Sequence, residues 1–430
     1  MALPQARIDE TEARIAALTM PDGAGWANDA RSAALSRFRQ MGLPGARDEY
    51  WRFTNPGDFN AVAAGEAAPF DDQDETPVFG EIDRLKVVFR DGVFDADASD
   101  ELAAEGLEIG RLADAMTTDI HWAKDLYGVI EAGTHTPVPR PFAALNTAFA
   151  TDGVVIRATG KVSKPVSLIY LHEKSDSDAI LHFVVRVEAG AELTVLENGP
   201  AASRFNKCME VDIADGGAFH HVRAQGRDHE RRAVTHLFTR LGEESTFKSF
   251  TLTANGVMTR NEAFIEILGD NATAHIAGAA VGDGRFHHDD TVFITHDAIN
   301  CESRQVFKKV LRNGAVGTFQ GKILVKEGAQ KTDGYQISQS LLLDEDAQFL
   351  AKPELEIYAD DVACSHGSTS GAIDEEALFY LRSRGVELGD AQDLLVLAFL
   401  AEAIEEIENE AIADDILGRL EGWLSRHRSA

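Results

Sequence analysis

Turn-to-strand junctions recur at one interval through the middle of this chain, and that interval constrains the fold more than any other feature. Five of them, Gly190-Ala191, Gly217-Ala218, Glu244-Ser245, Asn271-Ala272 and Ala298-Ile299, have first residues 27 apart each time. Further turns follow at Gly314-Ala315, Gly328-Ala329 and Asp346-Ala347, at shorter intervals. Between them lie runs such as GVVIRA, VSLIYLH, LHFVVRVEA, ELTVLE and NEAFIEIL, rich in the β-branched and aromatic residues that suit strands. A repeat of this size carrying short strands predicts a β-solenoid, in which each coil covers its neighbour and none is stable alone. A β-sandwich with evenly spaced strands would give a similar pattern. Length favours the solenoid. At 430 residues the chain exceeds the roughly 250–300 residues at which a single core stops growing, and a solenoid lengthens without thickening.

The ends differ in texture, so the fold class expected is mainly β with α-helical domains at both termini. Residues 1–60 form the N-terminal helical domain. There Trp26, Ala30, Ala34, Phe38 and Met41 recur at spacings of three and four, and Gly42-Leu43-Pro44 ends the helix. Residues 61–81 are rich in Pro, Gly and acids and read as a linker. The solenoid core is expected over 82–367 and a second helical domain over 368–430. In that last stretch Leu394, Leu397, Ala401, Ile404, Ile407 and Ala411 form one apolar stripe, and Ile412, Ile416, Leu420 and Trp423 another. Such stripes serve equally well to pack on a core or to dock a partner.

Charge excludes some functions. Lys and Arg number 41 against 71 Asp and Glu, a formal charge of −30. That balance disfavours nucleic acid, whose binding needs phosphates neutralised by basic side chains, and anionic membrane surfaces. The three cysteines, Cys208, Cys301 and Cys364, are sparse and far apart, which is no disulfide framework and suits a reducing compartment. No unbroken apolar run reaches about 18 residues, and MALPQARIDETEARIAAL has acids where a signal peptide needs an apolar core. A cytoplasmic protein is expected.

Most motifs fail on inspection. GTFQGKI (Gly317–Ile323) suggests a phosphate loop, but Val316 and Ile323 stand where that motif needs Gly and Ser or Thr. Asn271-Ala272-Thr273 is a glycosylation sequon without a secretion signal. No nucleophile elbow, HExxH pair or CxxC occurs. RFHHDDTVFITH offers His288, Asp290 and His296, which share a face if the segment is a strand. Imidazole and carboxylate could hold zinc or iron there, and a polar ladder on a solenoid wall would look the same. In EIYADDVACSHG, alternation puts Asp360, Val362, Cys364 and His366 on one face. A thiolate beside an imidazole makes a good pair of metal ligands, yet an iron–sulfur cluster usually needs four. Either this is a small buried Cys beside a hydrogen-bonded His, or another chain supplies the other half.

At this point a resemblance enters. The run from Gly314 to Gly385, containing GTFQGKILVKEGAQKTDGYQ and YADDVACSHGSTSG, resembles the signature region of the SufB/SufD family. GLPGARDEYWRFT (Gly42–Thr54) and PFAALNTAFATDGVVI (Pro141–Ile156) are similar to its amino-terminal stretches. CSHG stands where SufB usually reads H-E-A-T, which points to the SufD branch. The resemblance implies a right-handed parallel β-helix, and a non-catalytic scaffold role in the SUF iron–sulfur cluster assembly complex. It implies pairing with a SufB-like subunit and binding of the ATPase SufC through the C-terminal helices. There Leu378, Phe379, Tyr380, Leu394, Leu397 and Phe399 are the expected contacts.

By position the resemblance matches His366 to a SufD histidine at the SufB interface and implies that iron or a nascent cluster is held there, with Cys364 as the neighbouring family cysteine. No cofactor is expected to stay bound to this chain alone. Family members have been linked to a reduced flavin, which no motif here supports. An edge meant for SufB could also pair with itself as a homodimer. The alternative is a carbohydrate-active solenoid enzyme, which predicts an open groove with paired carboxylates and aromatic platforms. Metal storage by the His287–His296 segment is a third reading.

Overall fold

The strand-rich runs wind between two sheets, in a computed structural model that describes residues 3–69, 76–134, 138–226 and 229–427. Strands β1 (Leu85–Arg90), β2 (Val93–Asp95) and β3 (Leu107–Arg111) come first. Then follow β4 (Val154–Ala158), β5 (Val166–Leu171), β6 (Asp178–Val187), β7 (Glu192–Asn198), β8 (Arg204–Ile213) and β9 (Ala218–Gln225). Next are β10 (Arg232–Leu241), β11 (Thr246–Ala254), β12 (Met258–Ile267), β13 (Thr273–Asp283) and β14 (His287–His296). The last five are β15 (Glu302–Arg312), β16 (Val316–Val325), β17 (Asp333–Leu342), β18 (Gln348–Ile357) and β19 (Ala363–Gly371).

One sheet runs in the order β19-β17-β15-β13-β11-β9-β7-β5-β1-β2 and the other β18-β16-β14-β12-β10-β8-β6-β4-β3. From β4 onward all pairings are parallel, while β1–β2 and β3–β4 are antiparallel. Each coil therefore adds one strand to each sheet, which is the solenoid the repeat predicts.

The repeat is built on a corner. Gly190, Gly216, Glu244, Asn271, Asn300 and Lys331 all take left-handed backbone angles, with φ from 53° to 68°. Each donates its N–H to a carbonyl of the next coil at 2.5 to 3.0 Å, from Gly190 to Asp215 through Lys331 to Asp361. A small buried residue follows every time: Ala191, Gly217, Ser245, Ala272, Cys301 and Thr332. Cys301 is thus one rung of a stack. The corner residues are spaced 26, 28, 27, 29 and 31, so the coils lengthen along the chain. The fifth junction is consequently Asn300-Cys301, two residues beyond the expected Ala298-Ile299, because the added residues are taken up in the bend over 297–300.

Helices cover both outer faces. On the nine-stranded sheet lie α1 (Gln5–Ala16), α2 (Gly25–Met41), α3 (Gly57–Asn60), α4 (Leu112–Met116), α5 (Val129–Gly133) and α6 (Pro141–Phe149). Phe38, Trp51, Phe59 and Phe142 pack there with Ile180 and Val234 of the strands, and Cys208, Phe238, Phe264 and Phe293 lie under the same layer. On the ten-stranded sheet lie α8 (Leu388–Ile404) and α9 (Glu410–Arg426), and α7 (Glu375–Ser383), with no buried residue of its own, packs against α8. Ile412, Ile416, Leu420 and Trp423 of α9 are buried there together with Val222, Phe250, Val306 and Val310, as their spacing predicts. Each such side chain contributes about 1.5–3 kcal/mol by leaving water. In α8 the buried residues are Ala391, Val396, Leu400, Ala403 and Ile404, and Leu394 of the expected stripe is exposed. The segment LLVLAFLAEAI is apolar at most positions, so periodicity could not select the face.

The two ends of the solenoid differ. Short antiparallel strands β2 and β3 finish one end, where Phe94 and Leu102 pack against the interior core. At the other end β18 and β19 are edges whose residues are exposed or half-buried along their whole length.

Candidate functional site at the open end

The strand that carries Cys364 and His366 begins after a tight corner. Asp361 accepts from Lys331 N through its carbonyl and donates its own N–H to Gln330 Oε1 at 2.9 Å. The chain therefore bends at Asp360-Asp361 and the strand starts at Ala363. Asp360 and Val362 lie before the strand rather than on its face.

Within β19 the alternation holds. Register with β17 pairs Gly334 with Cys364, Gln336 with His366, Ser338 with Ser368 and Ser340 with Ser370. Two of these rungs close as hydroxyl hydrogen bonds, Ser338 to Ser368 at 3.1 Å and Ser340 to Ser370 at 2.9 Å. Gln336 Nε2 donates to Gln305 Oε1 at 2.9 Å, and His366 is the next position of that column. Both residues therefore belong to the column of side chains that faces the other sheet.

Their surroundings differ. His366 is exposed. Cys364 is half-buried beside Ile323, Val325 and Ala359. Its thiol fits because position 334 is glycine: a Cβ there would stand 3.1 Å from Cys364 Sγ. Burial pushes the thiol above its ordinary range, a backbone hydrogen bond from Gly334 opposes this, and Asp333 adds to the rise. The sulfur of the isolated chain is thus held as the neutral thiol, whereas the metal-binding form is the thiolate. Among the described residues the other edge of β19 has no partner strand.

The second candidate set lies in the solenoid interior. His288, Asp290 and His296 share the inward face of β14, as alternation predicts. His288 and Asp290 come together, but Lys309 Nζ sits 2.9 Å from His288 Nδ1 and 2.7 Å from Asp290 Oδ2, where a metal would stand. His296 is at the far end of the strand, 2.8 Å from the Ser303 hydroxyl. Burial lowers His288 to about 3 and His296 to about 4. Among the described residues no three His, Cys, Asp or Glu side chains are grouped to hold a metal.

Sequence reasoning missed a deeper polar cluster. Glu197 Oε1 accepts from Lys207 and lies 2.6 Å from His221 Nε2, while Tyr170 donates to Oε2 at 2.7 Å. All four side chains are buried. Burial alone would raise the Glu197 carboxyl, but Lys207 and His221 outweigh it and hold it well below the usual carboxylate range. Burial brings Lys207 down to about 8 despite its partner. Nothing local in FNKCMEVDI distinguishes an inward lysine from a solvent-facing one.

Of the six expected contact residues on the C-terminal helices, Phe379 and Tyr380 are 74% and 55% exposed and Leu394 is 50% exposed. Leu378 is half-buried. Leu397 and Phe399 are packed in part against the sheet, with Lys308 Nζ 4.8 Å from the Phe399 ring centre. The run Gly317–Ile323 lies inside β16, a strand with no room for a phosphate-binding loop. Helices cover both sheets through the middle of the solenoid.

Comparison with known proteins agrees with this architecture. Residues 170–399 match the family model described as "SUF system FeS cluster assembly, SufBD core domain", and residues 17–168 match "SufBD protein N-terminal region". The chain is 28% identical over 402 residues to the iron-sulfur cluster assembly protein SufD of Escherichia coli (strain K12), covering 90% of each. It is 26% identical to an iron-sulfur cluster assembly SufBD family protein of Synechocystis, covering 88% of this chain and 86% of that one. It is also 27% identical over 289 residues to SufD of Bacillus subtilis (strain 168), covering 65% of each. A β-solenoid between two helical layers, matched along both its terminal region and its core, makes this chain a member of the SufBD family of the SUF iron–sulfur cluster assembly system.

Proposed function

We propose that the chain is a non-catalytic scaffold subunit, pairing through the β18–β19 edge with a SufB-like subunit. In this reading Cys364 and His366 supply half of a site for iron or a nascent cluster, and the partner supplies the rest. The observation that carries it is the open edge itself: an inward thiol and an exposed imidazole on an edge strand that no further coil covers. Two ligands cannot complete a four-ligand cluster, and an unpaired parallel edge is built to accept another strand. The same reading gives α7 and the exposed side of α8 to the SufC ATPase, on the strength of the bare Phe379, Tyr380 and Leu394. Iron and sulfide are cargo here. The division of the chain into a helical domain to residue 60, a linker to 81, a core to 367 and a helical domain beyond belongs to this proposal.

Co-expression with the cognate SufB and SufC tests the assembly. The expected result is a stable complex that Phe379→Asp with Tyr380→Asp strips of SufC alone. No complex from the unaltered chain would end the scaffold reading. His366→Ala is then expected to leave the complex intact and to reduce cluster delivery in cells that depend on this system. Unchanged delivery would remove His366 from the mechanism.

A further inference from the structure

We infer that Gln336, buried one strand in from the open edge, is the positioning residue of His366. When the β18–β19 edge is covered, Gln336 Oε1 takes one ring N–H of His366 and turns the other ring nitrogen outward to the metal. This rests on the reading of that edge as the pairing surface and of His366 as a ligand.

Gln336 is 0% exposed and stands in register between Gln305 of β15 and His366 of β19. Its Nε2 donates to Gln305 Oε1 at 2.9 Å. An amide is planar with its oxygen and nitrogen on opposite sides, so a nitrogen turned to β15 turns the oxygen to β19. That Oε1 is buried without a hydrogen-bond partner. Buried polar atoms are nearly always paired, and each exception asks for a reason. The facing sheet fixes the amide in this orientation. A Cβ at Gly321 of β16 would stand 2.4 Å from Gln336 Nε2 and 2.7 Å from its Cδ. Glycine weakens a strand and often marks a close approach, and here what it admits is the Gln336 side chain.

The oxygen is shielded from solvent, so its partner must be a side chain of the adjacent strand. Alternation turns Cys364, His366, Ser368 and Ser370 of β19 inward. Cys364 fills the space at Gly334, and Ser368 and Ser370 are already bonded to Ser338 and Ser340. That leaves His366, the residue directly opposite Gln336 and exposed while the edge is bare. A neutral imidazole has one N–H and one lone pair, so a ring that gives its N–H to Gln336 presents the lone pair on its far side. Metal-ligating histidines are oriented in this way by an acceptor behind the ring.

The test uses the complex of the full chain with its SufB-like and SufC partners, and cobalt(II) as the metal probe, read by its absorption. His366→Ala defines the part of cobalt binding that depends on the ring. Gln336→Met, apolar and of similar length, is expected to leave the complex intact and to weaken that part about tenfold. Added to His366→Ala it is expected to change nothing further, because a positioning residue acts only through the group it holds. Gln336→Met with His366-dependent binding unchanged, or with equal loss in the presence and absence of His366, would overturn the inference and leave the scaffold reading standing. An unaltered complex that does not form, or that binds cobalt equally well with His366→Ala, removes the reading beneath it and the inference together. If Gln336→Met does not fold, Gln305→Met with Gln336→Met replaces both bonded partners by apolar groups, a change that is nearly neutral for stability, and the same comparison is made in that pair.

Discussion

At the scale of single residues, Gly334 and Cys364 decide one another's state. The thiol occupies the space a side chain at 334 would take, with Ile323 as the next neighbour at 3.5 Å. Gly334→Val should turn Cys364 out to solvent and raise its reaction rate with a disulfide reagent about tenfold. Because Cys208 and Cys301 are buried, the fast phase reads Cys364 alone, and an unchanged rate would contradict the packing described. Glu197 and Lys207 show the opposite case, a buried pair whose members need each other. Lys207→Met should cost about 3–5 kcal/mol, because it removes the ammonium that balances the buried Glu197 carboxylate and leaves that charge to the Tyr170 and His221 contacts. Adding Glu197→Gln should recover much of that in chemical denaturation, and failure to recover would mean that the pair is not what holds the interior. The sequence carried the first of these sites only in part. Cys364 and His366 sharing a strand face follows from alternation, whereas the glycine that admits the thiol lies 30 residues away in sequence and is brought opposite only by the coil.

Among elements, the stacked corner explains both what the spacing revealed and where it misled. Gly190, Gly216, Asn271 and Asn300 are residues that tolerate left-handed angles, so they advertise the turn. Glu244 and Lys331 occupy the same position with φ of 53° and 60° and advertise nothing. Glu244→Gly should therefore stabilise the chain by about 0.5–1 kcal/mol, the relief of strain less the entropy that glycine adds to the unfolded chain. Gly216→Ala should destabilise it by about as much. Thermal midpoints moving the other way would show that the hydrogen-bond ladder, not the backbone angle, governs the corner. The helices follow similar logic. The face of α9 was legible because its apolar residues form one stripe, and that of α8 was not, because it is apolar nearly all round.

For the molecule as a whole, buried histidines tie stability to pH. Burial lowers His229 and His288 to about 3, and His236 and His296 to about 4. Folded, they stay neutral; unfolded, they take up protons below about 6.5. Stability is therefore full above that value and is lost as pH falls from about 6.5 toward 4, by about 2 kcal/mol per histidine at pH 5. The thermal midpoint should fall markedly between pH 7 and pH 5 and respond little to salt, since buried groups are poorly screened. A midpoint that holds level across this range would contradict the burial of these rings.

The difference between the two solenoid ends sets an arithmetic of association. A parallel stack with two long bare edges has no reason to stop, and copies adding end to end would grow into a fibre. Here one end is finished by β2, of three residues, and by β3, of five, both antiparallel, and among the described residues only β18 and β19 remain receptive. A molecule with one receptive end can join one other and then has nothing left to offer. The short N-terminal strands thus act as a chain terminator, and any assembly built by continuing these sheets is limited to two.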